Sequence, residues 1–264
     1  MLTGRPKENA LRYRALISLL ATGLRADVIP ARQMEGRFHG FLQLRDTDDK
    51  VLASGDLVQW PQANQVTAEL TFHFKDGSMH RETAVFSQRR VFRLLTYHLV
   101  QKGPSFKRPT EMTIKTSTGQ VTIRYTEGGK EQAIDEQMKL PPDLANGIVT
   151  TLLGDIDPKV PKTTVSMLIS TPKPRLVRLE ISPEGEEPWP ETGVTFKAIK
   201  YVVKVAIGGV AGVVAPIVGK QPPGTHVWMI GPKVPGFVKS EGPLFDGGPI
   251  WRIELANPIP RKSS

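Results

Sequence analysis

The sequence predicts a mainly β protein of the α+β class: a curved antiparallel sheet, or half-barrel meander, with one principal helix packed against it. Three observations support this prediction. Apolar and polar residues alternate with period two after residue 37, turn signals recur between the alternating stretches, and residues 143–156 show helical spacing instead. Glycine and proline are plentiful, at 24 and 23 residues, which favours many strands joined by turns.

The clearest strand runs from residue 66 to residue 74. Asp76-Gly77 follows it and suits a two-residue hairpin turn, because both residue types tolerate positive φ angles. Further strands are predicted at 79–87, 91–100, 112–116 and 121–125, so residues 37–138 should form an antiparallel meander. The apolar residues of the first strand occupy every second position, as in a half-buried strand: Val66, Ala68, Leu70, Phe72 and Phe74.

The principal helix and a second group of strands are predicted after residue 138. Pro141-Pro142-Asp143 provides a stop and a helix cap before apolar residues at helical spacing, including Leu144, Ile148 and Leu152. No repeat or clear linker divides the chain, so 37–264 is predicted to be a single β-rich domain after an N-terminal segment, 1–36. Strands are predicted at 163–170, 175–181, 195–207, 226–230 and 250–255, with proline-rich joints at 158–161 and 183–190.

The N-terminal residues to Ala26 resemble a secretory signal. A basic cluster at 1–14 precedes the apolar run Ala15–Leu24 and a small residue at a cleavage point. The alternative is an amphipathic N-terminal helix in a cytoplasmic protein. We expect export to the periplasm or cell envelope, without a membrane span, because no segment reaches the roughly 18–20 apolar residues that a spanning helix needs.

The composition excludes several kinds of chemistry. The chain has no cysteine, so it has no disulfide, no cysteine zinc ligand and no cysteine nucleophile. Its formal charge is +9, but no Lys/Arg run with interleaved aromatic residues indicates a specific nucleic-acid partner. No G-x-S-x-G or H-E-x-x-H motif is present, so the sequence favours a non-catalytic protein with no cofactor.

The glycine-rich stretch at 207–224 is not a nucleotide site. A phosphate-binding loop would need a hydroxyl residue at Gln221 and a glycine at Val214, and a dinucleotide fingerprint would need glycine at Ile207. Pro216 and the short length exclude a spanning helix. We therefore expect a tightly packed bend, with an apolar surface that contacts a ligand as the alternative.

A metal-dependent enzyme is one alternative function. If the turn at Asp76-Gly77 has two residues, His73 faces His80; if the loop at 88–90 has three, His80 faces His98. These histidines, with Glu82 two residues along the same face, could bind a metal. A one-residue change in either hairpin would remove the row and leave a solvated polar face.

Seven runs resemble exported β-rich proteins of unknown function from bacteria such as Acidobacteria. The resemblance covers most of the chain after the N-terminus and implies no activity. More loosely, the predicted fold is similar to the half-barrels of periplasmic lipoprotein carriers, which is a likeness of fold alone. The runs are FHFKDGS (72–78), FSQRR (86–90), QKGPSF (101–106), LPPDLANG (140–147), GGVAGVVAP (208–216), GKQPP (219–223) and GGPIWRIEL (247–255).

The predicted function is that of a soluble envelope protein that binds an apolar ligand, such as a lipid acyl chain, between a curved sheet and the helix. An interaction or assembly module that binds an envelope protein through exposed strand edges is a second alternative. The residues expected to line the ligand site are Phe72, Phe74, Leu94, Ile148, Val213 and Ile217.

Overall fold

The structure, a computed structural model, describes residues 29–171, 173–191, 194–206, 223–231 and 236–256. The predicted export signal and the glycine-rich stretch at 207–222 lie outside these residues. The described residues contain fourteen strands and one short helix, and all the strands belong to one antiparallel sheet. Across the sheet, β8 to β1 lie in reverse chain order, followed by β14 to β9.

The first eight strands are β1 (Phe38–Arg45), β2 (Val51–Gln62), β3 (Gln65–Phe74), β4 (Met79–Ser87), β5 (Arg93–Lys102), β6 (Thr110–Lys115), β7 (Gln120–Glu127) and β8 (Lys130–Gln137). The helix α1 (Val149–Leu153) follows them. The remaining strands are β9 (Thr163–Thr171), β10 (Lys173–Glu191), β11 (Val194–Val205), β12 (Thr225–Ile230), β13 (Gly236–Pro243) and β14 (Ile250–Leu255).

The sheet curves around the segment that contains α1. One apolar cluster joins residues of β3–β7 to residues of β9–β12, although these strands lie towards opposite ends of the sheet. Leu152 and Leu153 of α1 are 3% and 2% exposed within this cluster. The predicted fold class is therefore confirmed: a mainly β protein with a curved, unclosed antiparallel sheet and one helix packed on its inner face. Within the described residues, no helix has the length and apolarity to cross a membrane.

The helix is shorter than the predicted 143–156. Gly147 has φ +71°, and a Cβ at this position would lie 2.9 Å from the Tyr97 ring. Glycine therefore allows both the left-handed backbone and the close approach, but it ends any helix that begins at Asp143. The residues before Gly147 instead run along β9, where Ala145 N donates to Ser166 O at 2.8 Å.

The proline-rich joint predicted at 183–190 is wrong, because β10 continues through it. Among the described residues, β10 pairs beyond Ile181 only with β11, so its other side is unpaired within that part of the sheet. Glu184 is an extra residue in β10 that has no partner in β11. Pro183 and Pro188 therefore have the same orientation relative to β11. The backbone nitrogens of both prolines, which carry no hydrogen, can then face the unpaired edge, where a strand tolerates proline. The sequence prediction also missed β13.

Candidate functional site

Four of the predicted lining residues are packed in the core. Phe72, Phe74, Leu94 and Ile148 are 0%, 7%, 4% and 2% exposed. The phenylalanines belong to a smaller cluster with Phe106 and Trp251, and the other two belong to the cluster around α1. Val213 and Ile217 lie outside the described residues.

The packing beside α1 leaves little space. A gap of about 10 Å³ lies beside Ile148, between Phe92, Leu152 and Val165. One water molecule needs about 10–15 Å³, so the gap is far too small for an acyl chain. The space beside α1 therefore does not accommodate the predicted ligand.

The predicted registers of the two histidine hairpins are wrong. Phe74 N donates to Ser78 O at 2.9 Å and Gly77 has φ +85°, so the β3–β4 loop has three residues rather than two. His73 consequently pairs with Met79.

The β4–β5 hairpin also differs from the prediction. Ser87 pairs with Arg93, and a bulge in β5 opposite Val85 and Phe86 shifts the register again. His80 therefore pairs with Gln101, and His98 pairs with Thr83.

These registers separate the three histidines. His80 is fully buried on the inner face, whereas His73 is exposed and His98 lies 3.0 Å from Glu111 on the outer face. A one-residue change of register reverses the face of a side chain, which accounts for the failure of the predicted row. Of the four residues proposed for a metal, the structure brings together only His80 and Glu82, and the described residues contain no group of three metal-ligating side chains.

A row of inner-face residues between the two apolar clusters stays partly open. The strand registers place Leu57 opposite Leu70, and Leu70 opposite Glu82. All three are half-buried, whereas the inner-face residues of the neighbouring rows, such as Phe72 and Ala84, are buried. We call Leu57, Leu70 and Glu82 the inner strip.

The end of the inner strip at β1 and β14 is apolar and exposed. Gly40 pairs with Leu57, and a Cβ at Gly40 would lie 2.7 Å from the Phe38 ring and 3.3 Å from a Leu255 methyl group. Glycine therefore leaves room for these two side chains to approach the same point. Phe38 is 42% exposed and Leu255 43% exposed, so this end of the inner strip has exposed apolar surface.

The other end of the inner strip is the carboxylate of Glu82. Its Oε1 lies 2.9 Å from His80 Nε2, and its side chain also accepts a hydrogen bond from the Tyr97 hydroxyl. Burial, and then the nearby Glu82 charge, raise the pKa of Tyr97 well above its usual value, so Tyr97 stays protonated as a donor. The Glu82 side chain remains 20% exposed, in contrast to the buried groups behind it.

His80 has a second polar contact on the other side of its ring. Gln101 Nε2 lies 3.1 Å from His80 Nδ1, and in this amide orientation the glutamine donates. The other ring nitrogen, Nε2, faces Glu82. The Nε2 atom is buried and lacks a well-aligned hydrogen-bond acceptor, although Glu82 Oε1 is close. The inner strip therefore ends at the Glu82 carboxylate, next to a buried histidine nitrogen that makes no well-aligned hydrogen bond.

A second set of buried polar groups holds the N-terminal described segment, residues 29–36. Asp155 Oδ1 accepts hydrogen bonds from the backbone N–H groups of Arg32 at 2.5 Å and Gln33 at 3.0 Å. Burial raises the pKa of Asp155 above its usual value, and burial also raises the pKa of Glu35. These residues fix a segment against the core and lie outside the inner strip.

The comparisons with known proteins leave the function open. No family model matches the chain, and no curated protein matches it. A match among solved structures is the crystal structure of a β-barrel-like protein of the domain of unknown function DUF1849 from Brucella abortus. The identity is 10%, the match covers 88% of this chain and 100% of the other, and the TM-score is 0.43. The resemblance to proteins of Acidobacteria receives no support from these comparisons.

The sequence indicated part of this site. The i, i+2 spacing of His80 and Glu82 correctly indicated that they share a face. Leu57, Gly40 and Phe38 were missed, because no local pattern shows which inner-face residues the curved sheet leaves uncovered.

Proposed function

We propose that this protein binds an apolar ligand along the inner strip. The observation that carries the proposal is the partial exposure of Leu57 and Leu70 on a face where the neighbouring rows are buried. Covering apolar surface is worth about 25 cal/mol per Å², so a ligand that covers these side chains and Phe38 gains affinity from burial.

An extended ligand fits the strip better than a compact one. From β1 to β4 the row crosses three strand spacings, which amounts to roughly 14 Å. That distance suits an acyl or alkyl chain lying across the strands. Leu57 and Leu70 pack against the cluster that contains Phe72 and Phe74, whereas Leu94 and Ile148 belong to the cluster around α1. Contact of the ligand with Val213 and Ile217 stays part of the proposal.

Binding of the neutral fluorescent probe N-phenyl-1-naphthylamine tests the proposal. Replacing Leu57 and Leu70 together by Gln should weaken binding about tenfold or more, because the strip loses apolar surface. The matched control is Phe41→Gln on the outer face of β1, where Phe41 is 53% exposed. If the outer-face variant loses as much affinity as the strip variant, or if the wild-type protein does not bind the probe, the proposal fails.

Binding of a partner strand at β8 is the second candidate. In the described part of the sheet β8 pairs only with β7, so its other edge is free. The β9 edge is covered at Leu168, whose N–H and C=O both bond the Asn146 side chain, at 2.9 and 2.8 Å. Lys130 and Glu131 are among the charged residues of β8, and such charges protect an edge from pairing, which favours the ligand-binding function.

The proposed location is the periplasm or cell envelope, and it rests on the signal-like sequence of residues 1–26. The intact mass of protein isolated from its native host tests it. A chain beginning after Ala26 supports export, and a chain that retains the basic cluster contradicts cleavage there.

A further inference from the structure

We propose that the ligand carries a hydrogen-bond donor, an alcohol or an amine, at the end that reaches Glu82. This inference rests on the proposed function, because it concerns the polar end of the same inner strip. An ionised carboxylate only accepts hydrogen bonds, so the group that meets it must donate.

The surroundings of Glu82 define what its exposed side can bind. Tyr97 and His80 approach the carboxylate from buried positions, with exposed fractions of 3% and 0%. The Glu82 side chain keeps 20% of its surface, and Leu70 pairs with it along the inner strip. A ligand lying over Leu57 and Leu70 therefore brings its end group to the exposed side of the carboxylate.

An anionic head group is disfavoured at this point. The inward-facing positions of β1–β5 contain no Lys or Arg in the described structure, so no cation on these strands would pair with a carboxylate or phosphate. Two carboxylates brought together at a partly buried site repel each other, which weakens the binding of an anionic ligand. His80 cannot compensate directly, since its ring is fully buried between Phe72 and Phe106.

The test is displacement of N-phenyl-1-naphthylamine by three amphiphiles with the same alkyl chain: dodecanol, dodecylamine and dodecanoate. We expect dodecanol and dodecylamine to displace the probe at concentrations about tenfold lower than dodecanoate, a difference of about 1.4 kcal/mol. The formal charge of +9 attracts dodecanoate non-specifically, so preference for the amine would run against the net charge.

Variants at Glu82 attribute the preference to one group. Glu82→Gln should reduce the discrimination against dodecanoate at least fivefold, and Glu82→Asp, which keeps the charge, should preserve most of it. The matched control is Glu131→Gln on the exposed edge strand β8, which should behave as the wild-type protein does.

The outcomes separate the two proposals. If the wild-type protein binds the probe and all three amphiphiles displace it equally, or dodecanoate is preferred, the head-group inference is wrong and apolar binding stands. Unchanged discrimination in Glu82→Gln also overturns the inference. If the probe does not bind at all, the proposed function itself is wrong.

Discussion

Asp155 is a buried carboxylate that connects two parts of the chain that are distant in sequence. It is 3% exposed, and it holds the backbone of residues 32 and 33, more than 120 residues away in sequence. Its sequence neighbourhood, with Pro158 and the end of the predicted helix close by, is typical of a turn. Long-range partners of this kind have no local signature, which is why contacts between single residues were the least predictable part of the structure.

The raised pKa of Asp155 predicts a pH dependence of stability. The folded state holds this proton at a pH where the unfolded state has lost it, so the free energy of unfolding should fall as pH rises from the usual carboxyl pKa through the raised one. Asp155→Asn keeps an acceptor for Arg32 N but cannot ionise. Urea denaturation from about pH 4 to about pH 7 should therefore show that the free energy of unfolding decreases less in this variant than in the wild-type protein.

Glu35→Gln provides a second check, because burial raises the pKa of Glu35 in the same direction. The free energy of unfolding of this variant should also decrease less with rising pH than that of the wild-type protein. An Asp155→Asn variant with the full wild-type decrease would show that Asp155 does not contribute to it.

At the scale of elements, strand positions were more predictable than strand registers. Alternation located β3 and β4 well, and β14 was predicted with its observed bounds. The registers depend on loop length and on bulges. The three-residue loop after Phe74 and the bulge in β5 each moved a histidine relative to its partner, and neither feature has an unambiguous sequence signal.

The segment before α1 protects the edge of β9, which gives an element-scale prediction. Asn146 is fully buried and bonds both backbone groups of Leu168. Asn146→Ala leaves these groups unsatisfied, so it should lower the free energy of unfolding by about 2–4 kcal/mol and increase aggregation through the exposed edge. Chemical denaturation and light scattering measure the two effects.

Asn64→Ala is the matched control, because Asn64 lies exposed in the turn between β2 and β3. Its change should stay within about 0.5 kcal/mol. If both variants unfold with the same midpoint and slope, the side chain of Asn146 does not protect β9.

At the scale of the whole molecule, the curvature of the sheet determines which inner-face side chains stay exposed. The period-two pattern predicted which face of β3 is buried, and the helical segment predicted what covers part of that face. The pattern could not distinguish Leu70, which is half-buried, from Phe72, which is fully buried two residues away. That difference depends on how the two ends of the sheet approach each other, which no single strand encodes.

Photo-crosslinking tests the inner strip most directly, with a dodecanol derivative that carries a diazirine in its alkyl chain. After irradiation and proteolysis, mass spectrometry locates the attached residues. We predict attachment at Leu57, Leu70, Phe38 or Leu255, suppressed by excess unlabelled dodecanol. Attachment confined to outer-face residues such as Phe41, or attachment that excess dodecanol does not suppress, would contradict a ligand site on the inner face.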